Sequence, residues 1–544
     1  MTDVAECQVV IVGAGPAGLA LAIELGSRGV RCLLAERNDR VGYAPRAKTT
    51  NVRTRTHLRR WGIADRLAEA SPFGVDYPSN VVFVTRLAGP ELTRIGNAFN
   101  AAPAHDPRYP EHGQWIPQYK LEQVLRAHVA TLDSVDVRFN TELLGMEQTD
   151  AGVRVALRDL AGDGPFTVGA AFLVGADGAR SRVRDVIGAT MSGAYGLSHN
   201  YNIIFRAPGL AAAHRHGPAI MYWQVNGDVP SLIGPMDRDD VWFFMPTGVP
   251  EDTRLSDDEA RALIARSTGI DLPYEILSSD RWAASRLLAD KYREGRVFLV
   301  GDACHLHPPF GGYGMNMGVA DGVDLGWKLA AVLQGWGGDA LLDSYAAERR
   351  PVHQFVMDEA EANHAVVANQ LWAPGLDDDT AEGADMRRDA GGRIRAAKTR
   401  EFHTLGAVLG SCYADSPAVV GEDGGGKRGA ATDDATADAG TYDPSSRPGC
   451  LAPHAWLSDT VSLYDLFGPG FTLLARGEDE DTRAAARQAE GLGIPLAVVV
   501  LPVEVSRALY PAPLTLVRPD QHVCWRGATW RADVLPRVTG RRPA

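Results

Sequence analysis

Apolar and polar positions along the chain alternate between three periods. Short unbroken apolar runs occur at residues 9–12, after Arg31 in the strand 31–35, at 297–300, and just before the Gly175-Ala176-Asp177-Gly178 turn. Runs of this kind suit parallel strands buried on both faces. Spacing near 3.6 residues follows several of them. From residue 16 it carries through Ala22 and Leu25. Further on it places Leu121, Val124, Leu125 and Leu132 on one face, and it predicts a helix over 316–333. Period-two alternation fills residues 135–159 as hairpin strands. It also dominates residues 185–290, which are mostly strands rich in aromatic and β-branched residues, with one helix near 257–268. The pattern predicts an α/β protein in which a parallel sheet is interrupted by a second, mainly β unit.

Composition narrows the class. In 544 residues, 45% are hydrophobic and 23% charged, and 55 basic against 68 acidic side chains leave a net charge of −13. That balance argues against nucleic acid or an anionic membrane as the partner and favours a small molecule. No apolar run reaches the roughly 20 residues of a membrane-spanning helix, and no basic leader precedes the first strand, so a cytoplasmic protein is expected. The six cysteines are far apart, with no C-x-x-C, and read as reduced thiols without a metal. Residues 421–448 hold almost no large apolar side chains and read as a linker or mobile loop.

Two stretches carry the chemistry. In the first, the strand at 9–12 runs into Gly13, Gly15 and Gly18 in G-x-G-x-x-G spacing, with Pro16 and Ala17 between them. A helix follows, and a second strand ends at Glu36, 18 residues after Gly18. The glycines permit a tight turn, let the backbone approach a pyrophosphate and let the helix pack on the strand. Glu36 stands where an acid accepts hydrogen bonds from a ribose. The second stretch begins with the strand at 297–300 and continues GDACHLHPPFGGYGMNMG from Gly301. Its glycines at 311, 312, 314 and 318 clear the space before a helix N-terminus. Paired with the first, it reads as the other half of one dinucleotide site.

GAGPAG with Glu36, GADG at 175–178 and GDACHLHPPFGGYGMNMG together resemble the single-component FAD-dependent aromatic hydroxylases. These are the group A flavoprotein monooxygenases, including phenol hydroxylases and aromatic polyketide hydroxylases. The resemblance spans essentially the whole chain and implies three units. A Rossmann-like FAD-binding domain of the glutathione-reductase type takes residues 1–78, 111–184 and 291–360. A substrate-binding sheet domain takes 79–110 and 185–290. After a helix and flexible linker over 361–447, residues 448–544 form a thioredoxin-like domain that lacks C-x-x-C and is structural.

The resemblance also implies roles. Gly13, Gly15, Pro16, Ala17, Gly18, Glu36 and Arg37 would hold the ADP half of FAD, and Asp302 the ribityl or pyrophosphate region. Pro308, Pro309 and the Gly314-Met315-Asn316 backbone would abut the isoalloxazine ring, with Pro308 also near substrate. Gln118 matches a glutamine near the ribityl chain, and Asp177 lies in a motif used for FAD and pyridine nucleotide. Arg46 matches an arginine that touches flavin and NAD(P)H, the one catalytic candidate. Asp324 stands where many members carry Asn, and Cys304 where they carry Ala. Tyr222, Gln224 and Phe244 are the candidates for substrate contact in the sheet, although strand aromatics are more often core. His305 and His307 flank the flavin loop and are more often structural there.

The implied reaction uses NADPH or NADH as a transient reductant and O2 as co-substrate. A flavin C4a-hydroperoxide then passes one oxygen to a phenolic or polycyclic aromatic ring. Baeyer-Villiger oxidation or epoxidation on the same scaffold is the alternative, and a non-catalytic protein that sequesters a flavin or aromatic ligand is a third reading. A halogenase would need a W-x-W-x-I-P segment, and Gln114-Trp115-Ile116-Pro117 lacks its first tryptophan. A homodimer is the default association for a soluble enzyme.

Overall fold

The computed structural model describes residues 5–39, 47–162, 164–250, 252–364, 370, 372–413, 415–421 and 438–541. Arg46 and residues 422–437 lie outside the described residues.

A six-stranded sheet anchors the N-terminal half. Its order is Arg293–Glu294, Val297–Leu299, Phe172–Gly175, Val9–Val12, Cys32–Ala35 and Val135–Arg138. Every pairing is parallel except the first. Val9, Val10 and Ile11 are wholly buried, as the unbroken apolar run requires. The helices Pro16–Gly26 and Gly314–Leu333 pack against each other on this sheet. A Cβ added at Gly322 would lie 2.8 Å from the Ala17 carbonyl oxygen, so this crossing needs glycine. The antiparallel strands Thr141–Gln148, Val153–Asp159 and Gly164–Ala170 close onto the same core.

The second unit is an eight-stranded sheet built around two long strands, Met191–Arg206 and Glu275–Ala289, which pair antiparallel. Its two faces bury separate cores. One face holds Val82, Tyr222, Ile233, Trp242 and Phe244 under the helix Asp257–Thr268. The other holds Phe83, Trp223, Phe243 and Ile204, together with Phe99, Trp115 and Phe402. Phe402 ends the helix Ala381–Phe402, which lies against the strand Glu91–Ile95.

The C-terminal unit pairs Phe471–Ala475 with Leu496–Val500 in parallel and with Leu514–Val517 antiparallel, and Val523–Gly527 completes the sheet. With the helices Glu480–Leu492, Val503–Leu509 and Val534–Val538 this is a thioredoxin-like arrangement. One cysteine reading is corrected. Cys412 and Cys450 form a disulfide across a sequence separation of 38. Folding carries the segment at 410–413 back beside residue 450, a proximity that linear spacing conceals. Cys7, Cys32, Cys304 and Cys524 are free. No described helix is long and apolar enough to cross a membrane.

Candidate active site

The turn after Val9–Val12 is made of backbone pressed on backbone. Gly13 has φ +108°, and a Cβ there would sit 2.2 Å from the Ala176 carbonyl oxygen. A Cβ on Gly18 would sit 2.0 Å from the Gly13 oxygen. Gly15 is the opposite case, since an added Cβ meets nothing within 4 Å. The first two hold the fold together, and the third faces open space where a pyrophosphate can approach. Glu36 reaches across the turn, accepting from the Ala14 amide at 2.8 Å and from the Asn38 amide and side chain at 3.0 and 2.9 Å.

The second stretch meets the first here. Gly301 and Gly318 both approach the Ala17 side chain closely, which brings Asp302 beside the dinucleotide turn. Neither Gly15 nor Tyr313, which precede the helices Pro16–Gly26 and Gly314–Leu333, caps its helix with a side chain, and neither first turn carries an acid. Both N-termini therefore offer uncompeted amide donors and positive dipole ends to an anionic cofactor. Open backbone at Gly15 and two uncapped helix starts fit FAD, with Glu36 and Asp302 as the ribose and ribityl candidates.

Asn316 is more than backbone. Its Nδ2 donates to the carbonyls of Thr49 and Gly312 at 2.9 and 2.8 Å. Its Oδ1 accepts from the Asn51 amide and Thr54 hydroxyl at 3.0 and 2.7 Å. The side chain thus ties the loop before Gly314–Leu333 to residues 49–54. Gln118 opens the helix Gln118–Val129, with its amide on the Ala47 carbonyl and its side chain on Glu122 at 2.7 Å. Asp177 accepts from Ser181 Oγ and from the amides of Arg182 and Val183, so it secures the start of the helix Arg182–Val186.

Three sheet candidates point away from this loop. Tyr222 and Phe244 belong to the core beneath Asp257–Thr268. Gln224 is fully engaged on that side, accepting from the Leu87 amide at 2.9 Å and donating to Ser231 and Ser267 at 3.0 and 2.8 Å. The opposite face, with Trp115, Trp223 and Phe243, has Phe310 of the 308–316 loop packed against it. In strands a shift of one residue exchanges faces, and no feature of the sequence marks which face meets the loop.

Several site residues carry no sequence signal of their own. Asp321, wholly buried, accepts from the Gly301 amide at 3.0 Å, from His305 Nε2 at 2.7 Å, from Arg349 Nε at 2.8 Å and from His353 Nε2 at 3.0 Å. Burial opposes its charge, but His353, Arg349 and His305 outweigh it and hold the carboxyl well below the usual range. His305 in turn meets His307 Nδ1 at 3.2 Å, so both histidines belong to the scaffold under the loop. Burial, followed by His305 and His353, keeps His307 neutral well below its ordinary value.

Comparison with known proteins agrees with this geometry. Residues 6–360 match the model of the FAD binding domain, and residues 445–541 match the aromatic-ring hydroxylase C-terminal model. The 2,4-dichlorophenol 6-monooxygenase of Delftia acidovorans is 31% identical, with 97% of this chain and 96% of that protein covered. Aklavinone 12-hydroxylase RdmE of Streptomyces purpurascens is 34% identical, with 98% of each chain covered. The crystal structure of the flavin-dependent monooxygenase PieE in complex with FAD and substrate superposes with a TM-score of 0.89 at 32% identity, over 100% of both chains. The chain is a flavin-dependent monooxygenase that belongs to the group A, FAD-binding aromatic-ring hydroxylases.

Proposed function

We propose that this enzyme hydroxylates a phenolic or polycyclic aromatic ring, consuming NAD(P)H and O2 and releasing water. The observation that carries the substrate class is the aromatic wall of Trp115, Trp223, Phe243 and Phe402, which shares one apolar cluster with Phe310 beside the candidate flavin residues. Flat aromatic faces bury a planar ring well and hold it by offset or edge contacts. Bound FAD supplies the redox chemistry that lets electrons from NAD(P)H activate O2. The chain's own tasks are to hold that cofactor, to place the ring and to exclude water. Gly13, Gly15, Gly18 and Glu36 take the ADP part, Asp302 the ribityl part, and the Gly314-Met315-Asn316 backbone the ring edge. Arg46 is assigned the contact with flavin and NAD(P)H on the family resemblance alone. The same reading assigns the enzyme to the cytoplasm, where reduced pyridine nucleotide is plentiful, and the net charge of −13 disfavours nucleic acid.

The test is NADPH consumption by the FAD-loaded protein across small and polycyclic phenols, with mass spectrometry of the products. One added oxygen on a ring carbon is the expected result. Oxygen inserted into a ring C–C bond would assign Baeyer-Villiger chemistry. Binding without stimulated oxidation would leave a sequestering protein.

A further inference from the structure

Lys48 sits between the loop at 308–316 and the aromatic wall. Its carbonyl accepts from the Ile116 amide at 2.8 Å, and its neighbour Thr49 pairs with Trp115 and receives the Asn316 side chain. The backbone is therefore locked to the loop, while the half-buried side chain extends to the wall. Nζ lies 4.3 Å from the centroid of the Phe243 ring, which is 6.2 Å from that of Trp115. Among the described residues Nζ has no hydrogen-bond or carboxylate partner, and burial alone pushes its ammonium down to about 8.

A second lysine on the same wall shows what is missing. Lys398 Nζ lies 4.4 Å over Trp223 and 5.6 Å from Phe310, yet it donates to the Asn363 carbonyl at 2.9 Å and to Glu401 at 2.8 Å. Withdrawing an ammonium from water is costly unless an anion or acceptor answers it, and contact with a phenylalanine face returns only part of that cost. Lys398 is answered within the chain. No described residue answers Lys48.

We infer that Lys48 is the oxyanion-binding group of the substrate site, pairing with the ring oxygen of a phenolic substrate bound beside the 308–316 loop. This rests on the hydroxylase reading and adds a residue and an ionisation state to it. When neutral lysine meets the phenol, the O–H bond breaks and an N–H bond forms. Amine plus phenol becomes ammonium plus phenolate, with no change in net charge and no oxidation. The phenolate pushes electron density onto its ortho and para carbons, the positions that must accept oxygen. An aromatic without an acidic hydroxyl leaves Lys48 unanswered and is rejected by that mismatch.

The experiment titrates para-nitrophenol, whose phenolate absorbs in the visible, bound to the FAD-loaded protein. Wild type, Lys48→Met, Lys48→Gln and Lys48→Arg are compared, with FAD absorbance and melting temperature followed for each. In wild type the bound phenol is expected to ionise at least about tenfold more readily than in water, the effect of an opposite charge at contact. Lys48→Met and Lys48→Gln lose that shift and bind at least about tenfold more weakly, while Lys48→Arg retains it. Equal ionisation in wild type and either neutral variant, with the phenol still bound, overturns the assignment and leaves the hydroxylase intact. Loss of FAD or of folding in both neutral variants makes Lys48 a scaffold residue and also overturns it. If wild type neither binds para-nitrophenol nor oxidises NADPH faster with any phenol, the hydroxylase reading falls together with the lysine's role.

Discussion

Asp321 and Asp324 lie three residues apart on the helix Gly314–Leu333, and both are buried. Asp321 faces the 301–305 turn and the helix Ala340–His364, where Arg349 and two histidines surround a single carboxylate. Asp324 faces the C-terminal unit. There Lys328 donates to it at 2.8 Å and Arg518 at 3.2 Å, but the same two cations also serve Glu348, and Arg518 serves Asp520. Three carboxylates compete for two fixed positive charges. Burial, reinforced by Glu348 and Asp520 against the pull of Lys328 and Arg518, raises Asp324 well above the ordinary carboxylate range. Glu348, better placed towards Arg518 and Lys328, falls to about 2 despite its burial. Equal burial on one helix is thus accompanied by opposite shifts of the two carboxyls. The deciding quantity is the local balance of charges, not depth.

Tyr413 stands between the two clusters. It accepts from Arg349 at 3.0 Å, its ring lies 4.3 Å from that of His522, and it follows Cys412 of the disulfide. A cavity of about 40 Å³ is lined by Asn316, Asp324, Arg349, Tyr413 and Asp520, with room for ordered water between the cofactor loop and the C-terminal unit.

The comparison can be broken most forcefully at Asp321. Asp321→Asn leaves Arg349 buried without its anion and weakens the hold on the Gly301 amide. Denaturant titration should show a loss of about 3–5 kcal/mol, with weaker retention of FAD. A loss below about 1 kcal/mol would make the cluster incidental. Next in size is the disulfide. Closing a loop of this length removes about 3–4 kcal/mol of unfolded-state entropy, so Cys412→Ser should lower stability by up to that amount under oxidising conditions. Adding reductant should erase the difference between variant and wild type. An unchanged gap in reductant would point instead to lost packing around Tyr413.

The smallest effect belongs to Asp324. Asp324→Asn removes one of three carboxylates that compete for two cations, so lost attraction is offset by relieved repulsion and the cost should stay within about 1 kcal/mol near neutrality. The pH profiles then separate the two residues. Asp324 has a raised folded value, so its contribution is present at low pH and is lost as pH rises through that value; the asparagine variant should lose less on alkalinisation. Asp321 has a depressed folded value, so its contribution is present above the ordinary carboxylate range and is lost only as pH falls through the folded value. Parallel profiles for wild type and Asp324→Asn would refute the raised value.

The dinucleotide turn was legible because every requirement in it is local. An apolar run, three glycines and an acid at the end of the next strand lie within 28 residues of sequence, from Val9 to Glu36. The second stretch was legible for the same reason, and the two meet through Ala17, Gly301 and Gly318. Asp324 appeared in the sequence as a local departure from a common asparagine. Its partner Arg518 is separated from it by 194 positions, and no spacing rule connects them.

The sheet shows the same division at finer scale. Alternating aromatics announced strands near 222–224 and 241–246, and strands formed there. Which half of each alternation meets the loop was settled by the helix Asp257–Thr268 covering one face and Phe310 reaching the other. Whatever depends on residues within a turn or a strand of one another is written in the chain: the buried strands, the glycine turn, the uncapped helix starts. Strand facing, the pairing of Cys412 with Cys450, the unanswered charge of Lys48 and the split between Asp321 and Asp324 exist only after folding. Each of these depends on which distant groups share a volume from which water is excluded, and there the energy of a charge is set by all of its neighbours at once.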